Sequence, residues 1–406
     1  MTSTFAYQVR DRAGTLVLGE LEADTQAAVA EKLRSMGYAP ISIEQKKEGL
    51  GSKELTIPGF GPKVGLKDLA IFSRQFATMI SSGLSLLRAL VILQEQTDNV
   101  KLAEVLETMT SDVEAGRSLS AAMADHDDFP KLYIALVRAG EAAGMLDRVL
   151  LQVADNLEKD VALRQKIKSA MTYPVLVLCM AIGLTAAMLI FIVPTFVGLF
   201  DTLGGDLPGP TKILLFASNF ITSWAGVFTF LIGPIALWQA FKAYRKTDNG
   251  RFQLDVIKLK LPVFGELFHK IAITRFARNL AILLQSGVPI LQALEIAAET
   301  VDNGVMSVAI KDVQSGVREG EAMAVPLAKH VVFPSMVTQM IAVGEETGAV
   351  DTMLNKISDF YDREIEATTD QLTAMMEPIM IAVLGAIVGS MVIALYMPIF
   401  EIMNLV

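Results

Sequence analysis

The side chains that could carry chemistry in this 406-residue chain are few and scattered. His126, His269 and His330 are the only histidines, and each stands alone, as isolated surface histidines do. Three lone imidazoles leave little for metal or proton chemistry. The single cysteine, Cys179, lies in an apolar run, so no disulfide can form within the chain. There is no G-x-x-x-x-G-K-[ST]; GLGSKE at 49–54 lacks its spacing. H-E-x-x-H, a cysteine cluster and G-x-S-x-G are also absent. The residues point to no enzyme, no metal and no cofactor. What does stand out is an acidic turn that occurs twice. Gly140, Glu141, Gly144 and Asp147 form it in GEAAGMLD, and Gly344, Glu345, Gly348 and Asp351 form it in GEETGAVD. On one reading Gly140 ends a helix and Gly144 makes the tight turn into the next, because glycine reaches positive φ cheaply. Glu141 and Asp147 then lie near a helix N-terminus, where acidic groups are favoured. On the other reading, the doubled acidic turn contacts a partner or a cation.

The elements that must position this turn are duplicated with it. At a shift of 204 positions, as from Gly140 to Gly344, twelve of the twenty-eight residues of 72–99 recur in 276–303. Among them are Phe72/Phe276, Arg74/Arg278, Gly83/Gly287 and Leu90/Leu294, which mark the core of the repeat. The register continues through Phe129-Pro130/Phe333-Pro334 into Pro174/Pro378 and Pro194/Pro398, and the last pair closes the two apolar runs. Helical periodicity fills 67–170, with breaks at Gly83, Gly116 and Gly140 and caps at Ser85, Asn99 and Ser118. The last helix carries a narrow stripe, Leu146, Leu150, Val153, Leu157 and Val161, repeated as Val350, Leu354, Ile357, Tyr361 and Ile365. Each copy is therefore expected to be an antiparallel bundle of about six helices.

Hydrophobic residues make up 52% of the chain, concentrated in long uncharged runs. Three are long enough to span a bilayer: 173–200, 213–241 and 378–400, the uncharged parts of the expected spans 171–200, 213–241 and 376–400. Arg164, Lys166 and Lys168 precede the first, and Lys242, Arg245 and Lys246 follow the second. The positive-inside rule then puts the bundles, 67–170 and 242–375, in the cytoplasm. The loop 201–212 and the tail 401–406 fall outside, and the N-terminus, which lacks a signal sequence, starts inside. The middle span has no copy. It returns the chain so that both copies face one side, which makes the repeat parallel. Pro174 and Pro194 are expected to kink or end their helix. Gly385 and Gly389 offer a small-residue face for packing between the repeat spans or between subunits. None of the uncharged runs carries Asp, Glu, Lys, Arg or His between its ends, which disfavours the alternative of an ion-coupled transporter or channel subunit. The net charge of −9 argues against nucleic acid as the main partner.

Residues 1–46 read as a small α/β module: strands at 5–9, 15–21 and 41–43, a turn at 11–14 and a helix from 24 or 25 to 36. A linker rich in Gly, Lys and Pro, 47–66, follows. The fold expected is mainly α: a polytopic membrane protein with two duplicated bundles, three transmembrane helices and this module.

Several features together carry a resemblance: FSRQFATMISSGLSLLRAL beside FARNLAILLQSGVPILQAL, the doubled GE-x-x-G, the paired F-P and the order bundle–span–span–bundle–span. The chain resembles the type II secretion F family, the inner-membrane platform of type II secretion and type IV pilus machines. The second copy departs mildly, with Gly348-Ala349-Val350 against Gly144-Met145-Leu146. The resemblance implies a non-enzymatic protein of the bacterial inner membrane, coupling a cytoplasmic hexameric ATPase to pilin or pseudopilin helices. It also implies contacts with other inner-membrane components and a homo-oligomer, dimer or trimer.

Overall fold

The alternation of Phe5, Tyr7 and Val9 with Thr4, Ala6 and Gln8 suits a strand with two distinct faces. In a computed structural model this stretch is β1 (Ser3–Arg10), the central strand of an antiparallel sheet. Its neighbours are β2 (Leu16–Ala23) and β3 (Ala39–Gln45). Phe5 faces Leu21, Tyr7 faces Ile43, and a register shift lies between Gln8 and Val9. The residues described are 3–10, 16–23, 28, 29, 32, 39–45, 63–195, 208–245, 247–262 and 264–403. Positions 28, 29 and 32 of the expected helix are helical; the turn at 11–14 and linker residues 47–62 lie outside the described residues. The sheet belongs to one compact unit, Met1–Pro62, and everything after it to a second, Lys63–Val406.

The second unit is helical among its described residues. The first copy runs α1 (Leu66–Ser81), α2 (Leu86–Gln96), α3 (Val100–Glu114), α4 (Leu119–Ala124), α5 (Lys131–Ala143) and α6 (Leu146–Ala187). Then come α7 (Gly209–Thr222), α8 (Trp224–Arg245) and α9 (Asp248–Lys260). The second copy is α10 (Phe264–Gln285), α11 (Ile290–Thr300), α12 (Gly304–Arg318), α13 (Ala324–Ala328), α14 (Ser335–Thr347) and α15 (Val350–Met403). The bounds of α2, α3 and α5 recur in α11, α12 and α14 at the 204-residue shift. Local chemistry fixes these bounds. Asn99 and Asn303 accept from the backbone N–H of Leu102 and Met306, the N-cap bond that satisfies an orphan donor.

Phe72, Leu90, Phe276 and Leu294 are buried. Phe72 stacks on Phe76 with centroids 5.4 Å apart, and Phe129 meets Tyr133 edge-on at 5.6 Å. Phe276 meets Phe333 in the second copy. The two copies do not keep separate cores: residues from Leu69 to Leu157 and from Ala272 to Tyr361 form one hydrophobic cluster.

Among the described residues two helices are long and apolar enough to cross a membrane, Leu146–Thr195 and Val350–Met397. Each is continuous with the stripe helix of its bundle, so bundle and apolar segment form one rod. At 1.5 Å per residue the 54 residues of α15 extend about 80 Å. Pro174 and Pro378 lie inside their helices without ending them. Pro194 follows a π-turn at Met188–Ile192, where the Val193 N–H reaches back to the Met188 carbonyl. That wider turn accommodates a ring that clashes with the carbonyl four residues back in a regular α-helix.

The structure corrects several expectations. Gly83 and Gly287 do not belong to the core of the repeat: both are exposed, just beyond the ends of α1 and α10. Their φ values of 85° and 79° explain why they recur, since each closes a helix by its backbone and packs nothing. The helix of 131–143 runs through Gly140 and ends at Gly144, whose φ of 65° closes it in the left-handed region. Gly348 does the same at 69°. The uncharged run 213–241 is not one helix: it breaks at Ser223, whose backbone is extended. Ser223 Oγ accepts from the N–H of Gly226, opening α8, and a Cβ at Gly226 would collide with the Phe220 carbonyl. Pro398 does not close the third apolar run. Helix α15 passes through its backbone and past residue 400 to Met403. The side chain of Pro398 and residues 196–207 and 404–406 lie outside the described set.

Candidate functional site

The acidic turn is built the same way in both copies. Glu141 lies in the last turn of α5, and its carboxylate accepts from the backbone N–H of Leu119 at 2.6 Å and of Ser120 at 3.1 Å. Those donors are the first of α4. Glu345 likewise accepts from Met323 and Ala324 at the start of α13. The two glutamates thus cap a helix about twenty residues upstream, each carboxylate accepting one backbone N–H on either oxygen. The motif predicts a place for Glu141 at the N-terminus of the helix that follows; in the structure both glutamates cap a different helix. Gly140 sits close against its neighbour: a Cβ there would lie 3.1 Å from the Val149 side chain, tighter than an ordinary contact. At Gly344 it would lie 2.9 Å from the Val350 backbone. Asp147 and Asp351 occupy the first turns of α6 and α15, where a helix dipole favours them. Asp147 is exposed, and Asp351 accepts from Gln285 Nε2 at 3.4 Å.

The other structured polar region is the seam between copies. Arg278 on α10 donates through Nε to Ser358 at 3.2 Å and through Nη2 to Asp362 at 2.6 and 2.5 Å. Its Nη1 faces Asp160 of the first copy at 3.8 Å. Arg275, one turn earlier, reaches Asp302 at 3.4 Å and Asp160 at 3.9 Å. Below them the rods are tied by Lys159–Asp359 at 3.8 Å and Lys166–Glu366 at 3.1 Å. Lys131–Glu299, at 2.9 Å, and Ser286 Oγ donating to Gln152 at 3.1 Å add further links between copies. Lys270 sits among Glu266, Glu364 and Thr368. Burial pushes its pKa down, but the two carboxylates outweigh burial and the net shift is upward. In the first copy, Arg74 holds Asp155 and Glu158 on α6, and the hydrogen bond from Arg74 pulls the Glu158 pKa down.

Sequence reasoning singled out Arg74 and Arg278 but not their partners, nor Asp160, Arg275 and Lys270. Arg275 and Arg278, three apart on a helix, share a face, and that spacing was the available signal. The histidines are half-buried, not surface residues: His269 Nε2 contacts the Val332 carbonyl at 2.6 Å, and His330 faces Asp312 at 3.3 Å. No group of three metal-ligating side chains occurs among the described residues. Gly385 and Gly389 meet open space where a Cβ would be, so among the described residues nothing packs on them. The rods meet instead through Leu189, Val193, Met391 and Leu395, with α7 alongside. Thr211 of α7 donates to the Ala394 carbonyl and Ser218 to that of Leu189, each at 2.6 Å.

A duplicated bundle whose last helix continues as an apolar rod, twice, defines a class of membrane-associated scaffold. Family models agree. The one described as type II secretion system protein F matches residues 72–194 and again 276–398; that for the family's N-terminal domain matches 1–44. The chain belongs to the type II secretion system protein F family. It is 44% identical to the type IV pilus assembly protein PilC of Thermus thermophilus, over 98% of both chains. With PilC of Myxococcus xanthus the identity is 42%, over 99% of this chain and 95% of the relative. With the type II secretion system protein F of Vibrio cholerae it is 31%, over 99% of both. Membership and the two apolar helices fit an inner-membrane protein.

Proposed function

We propose that this chain is the inner-membrane platform of a type IV pilus or type II secretion machine. It works without catalysis, passing the motion of a cytoplasmic ATPase to pilin or pseudopilin helices in the bilayer. Near-full-length similarity to pilus assembly and secretion proteins carries the reading. The rods support the mechanism. A continuous helix transmits displacement where a loop absorbs it, and both rods are joined by ion pairs at the level where bundle gives way to apolar segment. In this reading α8, 22 residues or about 33 Å long, is the third crossing. The bundles and an N-terminal α/β module lie in the cytoplasm, and the C-terminus lies outside. The chain acts as a dimer or trimer among other machine components. The acidic turns shape the bundle surface that meets the ATPase.

Deleting the gene should abolish pilus assembly or secretion, and persistence of both would end the proposal. Inserting a short glycine segment after Arg164 should leave a membrane-inserted protein that no longer supports assembly. Full assembly by that variant would refute transmission through the rod. Reporter fusions after residue 205 and at the C-terminus should both report the outer side.

A further inference from the structure

The seam between the copies joins two different faces of the bundle. The first copy presents α5 and α6, through Lys131, Gln152, Lys159, Asp160 and Lys166. The second presents α10, α11 and part of α15, through Arg278, Ser286, Glu299, Asp359 and Glu366. A contact of this head-to-tail kind leaves one face of each sort unused. The unused faces are the α1–α2 side of the first copy and the α14–α15 side of the second.

Both are open, and they carry apolar side chains where the seam carries polar ones. Asn156 of the first copy and Arg275 of the second line the recess between the copies. The positions 204 residues away are Phe360, 37% exposed, and Ile71, 49% exposed. Gln75 and Ser82 are exposed, whereas their counterparts Asn279 and Ser286 are buried. The rods repeat the pattern. Ala181 is buried and, with Thr185, lies toward the second rod. Their counterparts Gly385 and Gly389 meet open space, and small residues let a further helix approach closely.

The charged contacts of the seam stay matched when each is shifted by 204 positions. Asp160–Arg278 becomes Glu364–Arg74, and Lys159–Asp359 becomes Arg363–Asp155, so both still join opposite charges. Asp160–Arg275, Lys166–Glu366 and Lys131–Glu299 become Glu364–Ile71, Asp370–Ala162 and Ser335–Glu95, each with one neutral partner. No shifted pair brings like charges together. Arg74 grips Glu158 as Arg278 grips the corresponding Asp362, and its outer side is exposed where that of Arg278 meets Asp160. Asp155 is bound by Arg74 and Glu364 by Lys270, and both carboxylates remain exposed enough to take a second cation. Arg363 is exposed, with no ion pair among the described residues.

We infer that the α14–α15 face of one chain docks on the α1–α2 face of a second copy, repeating between chains the seam found within one. The inference deepens the homo-oligomer of the proposed function. The rods run the same way in both copies, so repeating the step turns each chain about an axis along the rods and keeps all of them in one membrane. In a chain dispersed singly, both faces are solvated.

The test uses two full chains, tagged differently, both with Cys179→Ser, and produced together in membranes. One carries Ile71→Cys and the other Phe360→Cys. Oxidation should link the two tags and leave each chain unlinked when it is produced alone. A link from 71 to 71 or from 360 to 360 overturns the proposal, because it shows like faces meeting about a twofold axis. Charge gives a reading that needs no disulfide geometry. Arg363→Glu should weaken association in bilayers, followed by energy transfer between labelled chains, by about fivefold, the upper end for one exposed ion pair. Asp155→Lys added to the same chain should restore it, since every contact again joins opposite charges. Unchanged association of the single variant, or no recovery in the double one, overturns the proposal. An oligomer without the mixed link refutes this docking face alone; a chain that is monomeric in bilayers refutes the homo-oligomer as well.

Discussion

Arg74 and Arg278 hold the same place in the two copies, and their surroundings differ. The Arg74 side chain is 35% exposed and grips Asp155 and Glu158 on α6. The Arg278 side chain is 5% exposed and grips Ser358 and Asp362 on α15. The face that meets solvent in the first copy is covered in the second by the first copy's own α6, which brings Asp160 to Arg278. The partners have changed accordingly. Glu158 becomes the shorter Asp362, and Asp359, which corresponds to Asp155, faces Lys159 of the first copy instead. Duplication supplied two equal bundles, and the copies diverged where they came to touch.

The comparison breaks if the two arginines contribute alike. Arg278→Ala leaves Asp362 without its cation at a mostly buried site and Asp160 with Arg275 alone, at a cost of about 3 kcal/mol. Arg74→Ala removes a mostly solvated pair worth about 0.2–1 kcal/mol. Thermal unfolding of the detergent-solubilised variants reads the difference, and equal losses would mean that the seam is wet. The glycines are a second, smaller test. Alanine at 140 or 344 gains helix propensity of about 0.5–1 kcal/mol. At 140 the obstacle is a side chain, at 344 the Val350 backbone. Gly344→Ala should therefore destabilise by about 1–3 kcal/mol, as overpacking does, and Gly140→Ala by clearly less. Glu141→Ala and Glu345→Ala sharpen the opposite point. Their capping bonds match, so each should lose about 1 kcal/mol, within error of the other. A large inequality would show that one turn serves a partner as well.

What could be read in the sequence is what is local. Asn99, Asn303, Ser118 and the closing glycines act within three or four residues of themselves, so their positions name helix ends directly. The repeat then doubles every such signal. Recurrence alone does not separate a turn from a core position, which is why Gly83 and Gly287 read as core although both are exposed. The role of Glu141 was not readable, because its donors lie on another helix, at Leu119 and Ser120. Gly140 reads as a helix end, because glycine adopts positive φ cheaply. Only Gly144 has positive φ, while Gly140 answers to packing against Val149. The break at Ser223 hides in an uncharged run, since hydropathy reports composition and not backbone continuity. Asp160 became visible only once the copies were placed side by side. The function of the acidic turn is the clearest gain: its glutamates bind the bundle's own backbone, which accounts for their recurrence without a cation.

The smallest effect discriminates between ionic and merely packing roles for Arg74. The Arg74 hydrogen bond holds the Glu158 pKa below its ordinary value of 4.5. A carboxylate with a depressed folded-state pKa stabilises fully above its unfolded value, and the contribution disappears as pH falls through the folded one. Because both side chains are largely solvated, the amount is a fraction of about 1 kcal/mol. Arg74→Gln keeps much of the side-chain stem while removing the charge. Its melting temperature should lie slightly below that of the unaltered chain at neutral pH, and the gap should close as the pH is lowered through and below the ordinary carboxylate range. A gap that stays constant across that range would show that Arg74 stabilises the first bundle by packing its methylenes on α6. The exposed and the buried arginine would then differ in kind as well as in amount.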